Sequence, residues 1–145
     1  KRSNLAGYRA AFVVGDHELI AQILEVRKHA GMMVPLPVQK AMIAALSDSD
    51  HVAQQRARYN SRKDMLIPAL EAAGFSIDFS DAGLYLWATR NEDCWQSVAW
   101  LASLGILATP GIFYGDATHI RIAMTATDEQ ISEAASRITS KVGAQ

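Results

Sequence analysis

Chemistry in this sequence concentrates at its first residues and at one strand near its end. The run Lys1-Arg2-Ser3-Asn4-Leu5-Ala6-Gly7-Tyr8-Arg9-Ala10-Ala11 sets a lysine, a glycine and an arginine within one short stretch. Gly7 allows a tight turn or a positive φ. The apolar, partly β-branched residues after Arg9 predict a buried strand from Arg9 to Val14, closed by Gly15. An arginine on such a strand must find an anion or a dense set of acceptors, because an unpaired buried charge costs several kcal/mol. A phosphate suits the planar guanidinium, which binds two oxygens at once. An ion pair with an Asp or Glu elsewhere in the chain is the more ordinary answer from spacing alone. Far downstream, His119-Ile120-Arg121-Ile122-Ala123-Met124 alternates, with Ile120, Ile122 and Met124 on one face and His119 and Arg121 on the other.

Other reactive side chains carry weaker signals. His17, His29, His51 and His119 lack ligand spacing and read as surface or packing histidines, with only His119 close to a candidate site. Cys94, the single cysteine, has no partner for a disulfide or a zinc site and reads as a buried helix residue. Arg56, Arg58, Arg62 and Lys63 read as one solvated, charged helical face. Met32 and Met33 fit either core packing or a pocket wall. No metal site is predicted.

The elements that must position these residues fall in two groups. Asp16 caps a helix reaching about Ala30, with Leu19, Ile20, Ile23, Leu24 and Val26 on one broad face and Gly31 as its stop. Met32 to Pro37 is a stiff connector, and Pro37 starts a short helix through Leu46. After Ser47-Asp48-Ser49-Asp50 a long helix runs to Gly74, with a kink expected at Pro68. Strands are predicted at Phe75–Phe79, Gly83–Ala88, Ile106–Ala108 and His119–Met124, and a helix at Glu92–Leu104. Thr127 and Gln130 form a capping box for a last helix that packs Ile131, Ala134, Ala135 and Ile138 inward. The expected domains are residues 1–48 and a small α+β domain, 49–145, with helices against a mainly antiparallel sheet.

The run from Lys1 to Ala11 resembles the cofactor-attachment signature of class I aminotransferases: a lysine, two free positions, a small and an apolar residue, a glycine-type position, then arginine and two small residues. Pro35-Leu36-Pro37-Val38-Gln39 looks like the connector before that family's next helix. Gly83-Leu84-Tyr85-Leu86-Trp87 is similar to the strand opening its small domain. Gly111 to Arg121 looks like the approach to the strand bearing the substrate-carboxylate arginine, shortened here and without the usual paired glycines. Val26 to Pro35 and Leu84 to Thr89 resemble the actinobacterial succinyldiaminopimelate aminotransferases in particular.

The resemblance implies an α/β chain of the aspartate aminotransferase-like fold: the end of the large domain that binds pyridoxal 5'-phosphate (PLP), then the small domain. It implies that Lys1 holds PLP covalently and carries the catalytic proton, that Arg9 grips the phosphate, and that Arg121 forks onto the substrate α-carboxylate. The implied substrates are N-succinyl-LL-diaminopimelate and 2-oxoglutarate, exchanged within lysine biosynthesis by a homodimer. A first residue of lysine fits a chain that continues upstream, where the partner of the pyridine nitrogen and the ring-stacking aromatic would lie. The isolated chain is therefore expected to be inactive. The alternatives are another enzyme of the fold, such as an aspartate or aromatic aminotransferase or a C–S lyase, and a non-catalytic regulator domain.

Half hydrophobic and a fifth charged, the composition is that of a soluble globular protein. Fourteen basic against 15 acidic side chains favour neither nucleic acid nor an anionic membrane, and no apolar run is long enough to span a bilayer. A single cysteine suits a reducing, cytoplasmic setting.

Overall fold

The computed structural model describes residues 2–144, so Lys1 lies outside the described residues. The chain divides into two compact units, residues 1–55 and 56–145.

In the first unit a short 3-10 turn, Ala6–Tyr8, is followed by α1 (His17–His29), α2 (Leu36–Ser47) and the start of α3 (Asp50–Ala72). Asp16 caps α1 as its residue type requires, its Oδ1 accepting the backbone N–H groups of Glu18 (3.0 Å) and Leu19 (3.1 Å). Arg27, Lys28 and His29 occupy the last turn, where cations face the carbonyl end of the helix. Gly31 then takes a φ of +71°, the left-handed stop predicted for it. The helix α2 begins one residue before Pro37, which takes its second position, where a missing N–H is harmless.

The predicted strand from Arg9 to Val14 does not form. This segment is irregular and largely exposed, and Arg9 is itself exposed. The first unit has no other strand among its described residues, so the segment finds no backbone ladder to join. Arg9 instead closes the 3-10 turn, donating its N–H to Ala6 O (3.2 Å) at a φ of +54°. The positive φ foreseen at Gly7 falls on Asn4 and Arg9.

The second unit holds the rest of α3 and four strands: β1 (Ser76–Asp78), β2 (Tyr85–Thr89), β3 (Thr109–Pro110) and β4 (His119–Ala123). With them are α4 (Cys94–Ser103) and α5 (Asp128–Gly143). The sheet order is β1-β2-β4-β3, antiparallel throughout. The helix α3 continues through Pro68. The strand predicted at Ile106–Ala108 falls instead at Thr109–Pro110, where Thr109 pairs with Arg121 and Pro110 with Ile120. Proline is tolerated there because β3 is an edge strand.

One sheet face carries the core. Leu86 and Ala88 of β2 and Ile120 and Ile122 of β4 pack in one cluster with Leu66 and Leu70 of α3, Leu101 of α4, and Ile131 and Ile138 of α5. Each such aliphatic side chain contributes about 1.5–3 kcal/mol by leaving water. Cys94 belongs to this cluster, as foreseen. The capping box of α5 is also present, Thr127 with Gln130 in both directions. The charged face of α3 is a correction: Arg62 and Lys63 are buried. Arg62 Nε donates to Asp128 (2.6 Å) and Nη1 to Met124 O (2.7 Å), while Lys63 Nζ donates to Ser80 O (2.6 Å). Fixed acceptors within reach replace the water both cations would otherwise keep.

Candidate active site

The other sheet face carries the polar and aromatic residues. Residues directly opposite in a ladder share a face, so the register sets Asp78, Trp87, Arg121 and Thr109 in one row across the four strands. Thr89 and His119 form the next pair on that face, and Tyr85 lies two residues along β2 from Trp87. The alternation of β4 therefore does what the sequence implied: Ile120 and Ile122 face the core, and Arg121 faces away from it.

Arg121 is half-buried with unusual surroundings for a cation. Its guanidinium carbon lies 4.4 Å from the centroid of the Tyr85 ring and 5.0 Å from that of Tyr114. Both distances lie within cation–π range. Its one hydrogen bond given by the geometry is a long one, Nη2 to Thr109 Oγ1 at 3.4 Å. Its Nε is buried without an acceptor. No carboxylate pairs with it among the described residues, and the acidic residues closest to it in sequence are engaged elsewhere. Asp128 binds Arg62, and Asp116 binds His119 and the turn before β4. A hollow of about 340 Å³ opens at Arg121, between Tyr85, Trp87, Tyr114 and the β1–β2 loop with Phe79 and Gly83. A forked, incompletely satisfied guanidinium on aromatic walls is suited to a carboxylate, which offers two oxygens in the matching plane.

The loop that frames this hollow is held from several sides. Lys63 fixes Ser80 O, and the Ser80 hydroxyl accepts the N–H of Trp87 (2.9 Å) and donates to Asp78 O (2.8 Å). Phe79 takes a φ of +47° and is 94% exposed, so an apolar ring stands in solvent beside a cation.

His119 is the residue that spacing undervalued. Its Nε2 meets Asp78 Oδ2 at 3.0 Å and its Nδ1 meets Asp116 Oδ2 at 2.8 Å. Partial burial pulls its pKa down, but the bonds to Asp78 and Asp116 outweigh that and hold it above the usual histidine value. Asp116 is lowered to about 2, by the Thr118 N–H, the His119 ring and the Thr118 hydroxyl in that order. An alternating strand with histidine two residues before an arginine was the available signal. Asp116 is only three residues away, but Asp78, 41 residues away on another strand, was not readable from it.

The first unit holds the other candidate residues. Among the described residues Arg9 has no ion pair, so the Asp or Glu partner allowed for it is not found. Arg2 ties the first residues to α2, its Nη1 donating to Ala45 O at 2.8 Å. Tyr8, Phe12 and Met42 help line a hollow of about 260 Å³, and Met33 and Gln39 help line another of about 320 Å³. Gln39 also closes the proline connector, donating from Nε2 to Val34 O at 2.7 Å.

The architecture is that of the aspartate aminotransferases. The aspartate aminotransferase of Thermus thermophilus superposes with a TM-score of 0.85 over 98% of this chain and 41% of that one, at 21% identity. An aminotransferase of Neisseria meningitidis gives 0.83 over 97% of this chain and 38% of that one, at 32% identity. The family model for aminotransferases of class I and II matches residues 1–138. The chain belongs to that family. Among curated relatives, a probable aminotransferase of Mycobacterium tuberculosis is 62% identical over 96% of this chain and 34% of its own length. The 4-dedimethylamino-4-oxo-anhydrotetracycline transaminase of Streptomyces rimosus is 59% identical over 96% of this chain and 39% of its own length. An LL-diaminopimelate aminotransferase of Oleidesulfovibrio alaskensis is 36% identical over 97% and 38%. The chain thus spans 34–39% of the length of these relatives.

Proposed function

We propose that the protein carrying this chain is a PLP-dependent aminotransferase, in which Lys1 and Arg9 serve the cofactor and Arg121 binds the substrate α-carboxylate. The observation that carries the reading is Arg121: half-buried, faced by two tyrosine rings, with a buried Nε lacking an acceptor. Its chemistry is that of a receptor for a two-oxygen anion. The residues fit the cofactor too, since Arg9 presents an exposed guanidinium with no carboxylate on it, a donor set that a phosphate monoester takes.

PLP, when bound, supplies an electron sink for the carbanion formed at the substrate Cα. The residues of the chain do the rest. Lys1 would hold the cofactor, and its amine would serve as the general base and acid that takes and returns the proton of the substrate Cα. Arg9 neutralises and orients the phosphate. Arg121 fixes the carboxylate and so the plane in which Cα presents its hydrogen. The tyrosine rings exclude water from the guanidinium, which strengthens the pair it makes.

The substrates we propose are N-succinyl-LL-diaminopimelate and 2-oxoglutarate, in lysine biosynthesis in the cytoplasm. The diaminopimelate activity of the Oleidesulfovibrio relative supports this reading, as does the likeness of Val26–Pro35 and Leu84–Thr89 to the succinyldiaminopimelate enzymes. A second reading follows from the Streptomyces relative, whose substrate is a polycyclic ketone and whose identity is higher. We further propose a homodimer, with the N-terminal remainder of the protein completing the large domain.

Steady-state kinetics of the intact protein test this. Wild type should prefer succinyl-diaminopimelate over aspartate and aromatic donors, and Arg121→Ala should raise KM for every α-carboxylate donor. Losing a buried forked pair costs about 2–5 kcal/mol, several hundredfold in kcat/KM near the middle of that range. An unchanged KM for every donor would remove Arg121 from the site. A wide preference for aspartate, an aromatic donor or a tetracycline-type ketone would overturn the proposed substrate.

A further inference from the structure

We infer that His119 is a positioning residue for Arg121, acting through Trp87 and Tyr114. This rests on the reading of Arg121 as the carboxylate receptor and adds to it the device that holds the guanidinium in place.

The device is a continuous series of contacts on the outer sheet face. At one end the His119 ring bridges Asp78 of β1 and Asp116 of the turn before β4, one carboxylate on each nitrogen. A neutral imidazole has a single N–H and could donate to only one of them, so the bridge favours the imidazolium. Two bonds, one at each ring nitrogen, also fix the ring's orientation. The ring lies parallel to Trp87, with an interplanar angle of 5° and centroids 5.2 Å apart. Trp87 in turn meets Tyr114 edge-on, at 6.0 Å and 78°, and Tyr114 presents its face to the Arg121 guanidinium. Each step has the geometry its electrostatics favour: cation on indole face, aromatic edge on aromatic face, guanidinium on phenol face.

The backbone ties the same residues together a second time. Asp116 Oδ1 accepts the N–H groups of Thr118 (2.8 Å) and His119 (3.1 Å), which sets the turn between Tyr114 and β4. Gly111, at the start of the short helix carrying Tyr114, lies so close to His119 O that a Cβ there would stand 2.3 Å from it. Tyr114 is therefore placed against Arg121 from both ends of one loop. Apart from the Tyr114 and Tyr85 rings, the Arg121 guanidinium has only one long hydrogen bond among the described residues, and its Nε is unpartnered. Without the histidine, Asp78 and Asp116 lose the cation between them, Trp87 loses its parallel neighbour, and the guanidinium gains freedom that carboxylate binding must then remove.

The test is a double-mutant cycle on the intact, PLP-loaded protein, read as the dissociation constant of glutarate, a carboxylate that cannot transaminate, by titration calorimetry. Arg121→Ala, His119→Ala and the double variant are compared with wild type, with His119→Gln replacing His119→Ala if the latter does not fold. Residues in one network couple, so His119→Ala should weaken glutarate about tenfold in the presence of Arg121 and add nothing once Arg121 is removed. His119→Gln, which keeps a donor but neither the charge nor the ring, should recover only a minor part. If Arg121→Ala weakens glutarate while the His119 effect is absent, or is equal in both backgrounds, the positioning role is overturned and the Arg121 reading stands. If Arg121→Ala leaves glutarate binding unchanged, the Arg121 reading itself fails.

Discussion

Two carboxylates facing one imidazole make His119 a titrating part of the fold. Its folded pKa lies above the ordinary 6.5, so its bonds contribute stability fully below that value and lose it as pH rises through the raised one. Asp116 works in the opposite sense: lowered to about 2 from 3.8, it contributes above 3.8 and loses that contribution as pH falls towards 2. The charged groups facing the ring are Asp78 and Asp116, with Arg121 on the same strand face. The melting temperature of intact His119→Gln should therefore lie furthest below wild type between pH 4 and pH 6.5, and the gap should narrow towards about pH 9. A constant gap across that range would mean that the imidazole keeps one charge state. Arg121 was legible from the sequence because alternation on a short strand has only two outcomes. The bridge at His119 was not, because Asp78 lies on a different strand 41 residues away and nothing local marks the pairing.

Elements built from local signals matched the sequence closely: caps at Asp16 and Thr127, the stop at Gly31, and the helices α1, α4 and α5. Among those that need a remote partner, β1, β2 and β4 formed where expected, but two segments did not follow their composition. Arg9 to Val14 has strand composition but no neighbour in its unit, and the edge strand β3 takes its position from β4 rather than from the apolar run before it. The charge run on α3 misled for the same reason, since Arg62 finds its acceptors at the end of β4 and the start of α5. That clasp gives a prediction for the element. Arg62→Ala leaves the buried Met124 carbonyl without its donor, while Asp128, more than half exposed, is rehydrated. The loss should be about 1–3 kcal/mol, mostly from that carbonyl. Asp128→Asn should cost under about 1 kcal/mol, since it loses only a pair already open to water. Thermal unfolding of both variants in the intact protein compares them, and equal losses would place the energy in the ion pair instead.

At the scale of the molecule the two units differ in what they bury. Residues 56–145 enclose a core with Leu70, Leu86, Leu101, Ile120 and Met124 fully covered. Neither α1 nor α2 buries a single residue completely, and Phe12, Val13, Val14, Leu19 and Val26 are all exposed. The face of α1 that the sequence marked as apolar is real, but burial needs a matching surface, and the described residues of the first unit do not supply enough of one. Opening α1 or α2 then exposes little new apolar surface, and each helix alone, at 13 and 12 residues, is near the length where isolated helices are marginal in water. Hydrogen exchange on this chain by itself should consequently separate the units. The amides of β2, β4 and the part of α3 around Leu66–Leu70 should exchange slowest, because releasing them uncovers the core. The amides of α1 and α2 should exchange faster by roughly a hundredfold or more, a difference of about 3 kcal/mol in opening free energy. If the proposed remainder of the large domain and the proposed second subunit cover that apolar face in the intact protein, α1 and α2 should slow there while β2 and β4 change little. Equal protection of the two units in the isolated chain would show that the first unit finds its core unaided, and the proposed cover for α1 and α2 would then be unnecessary.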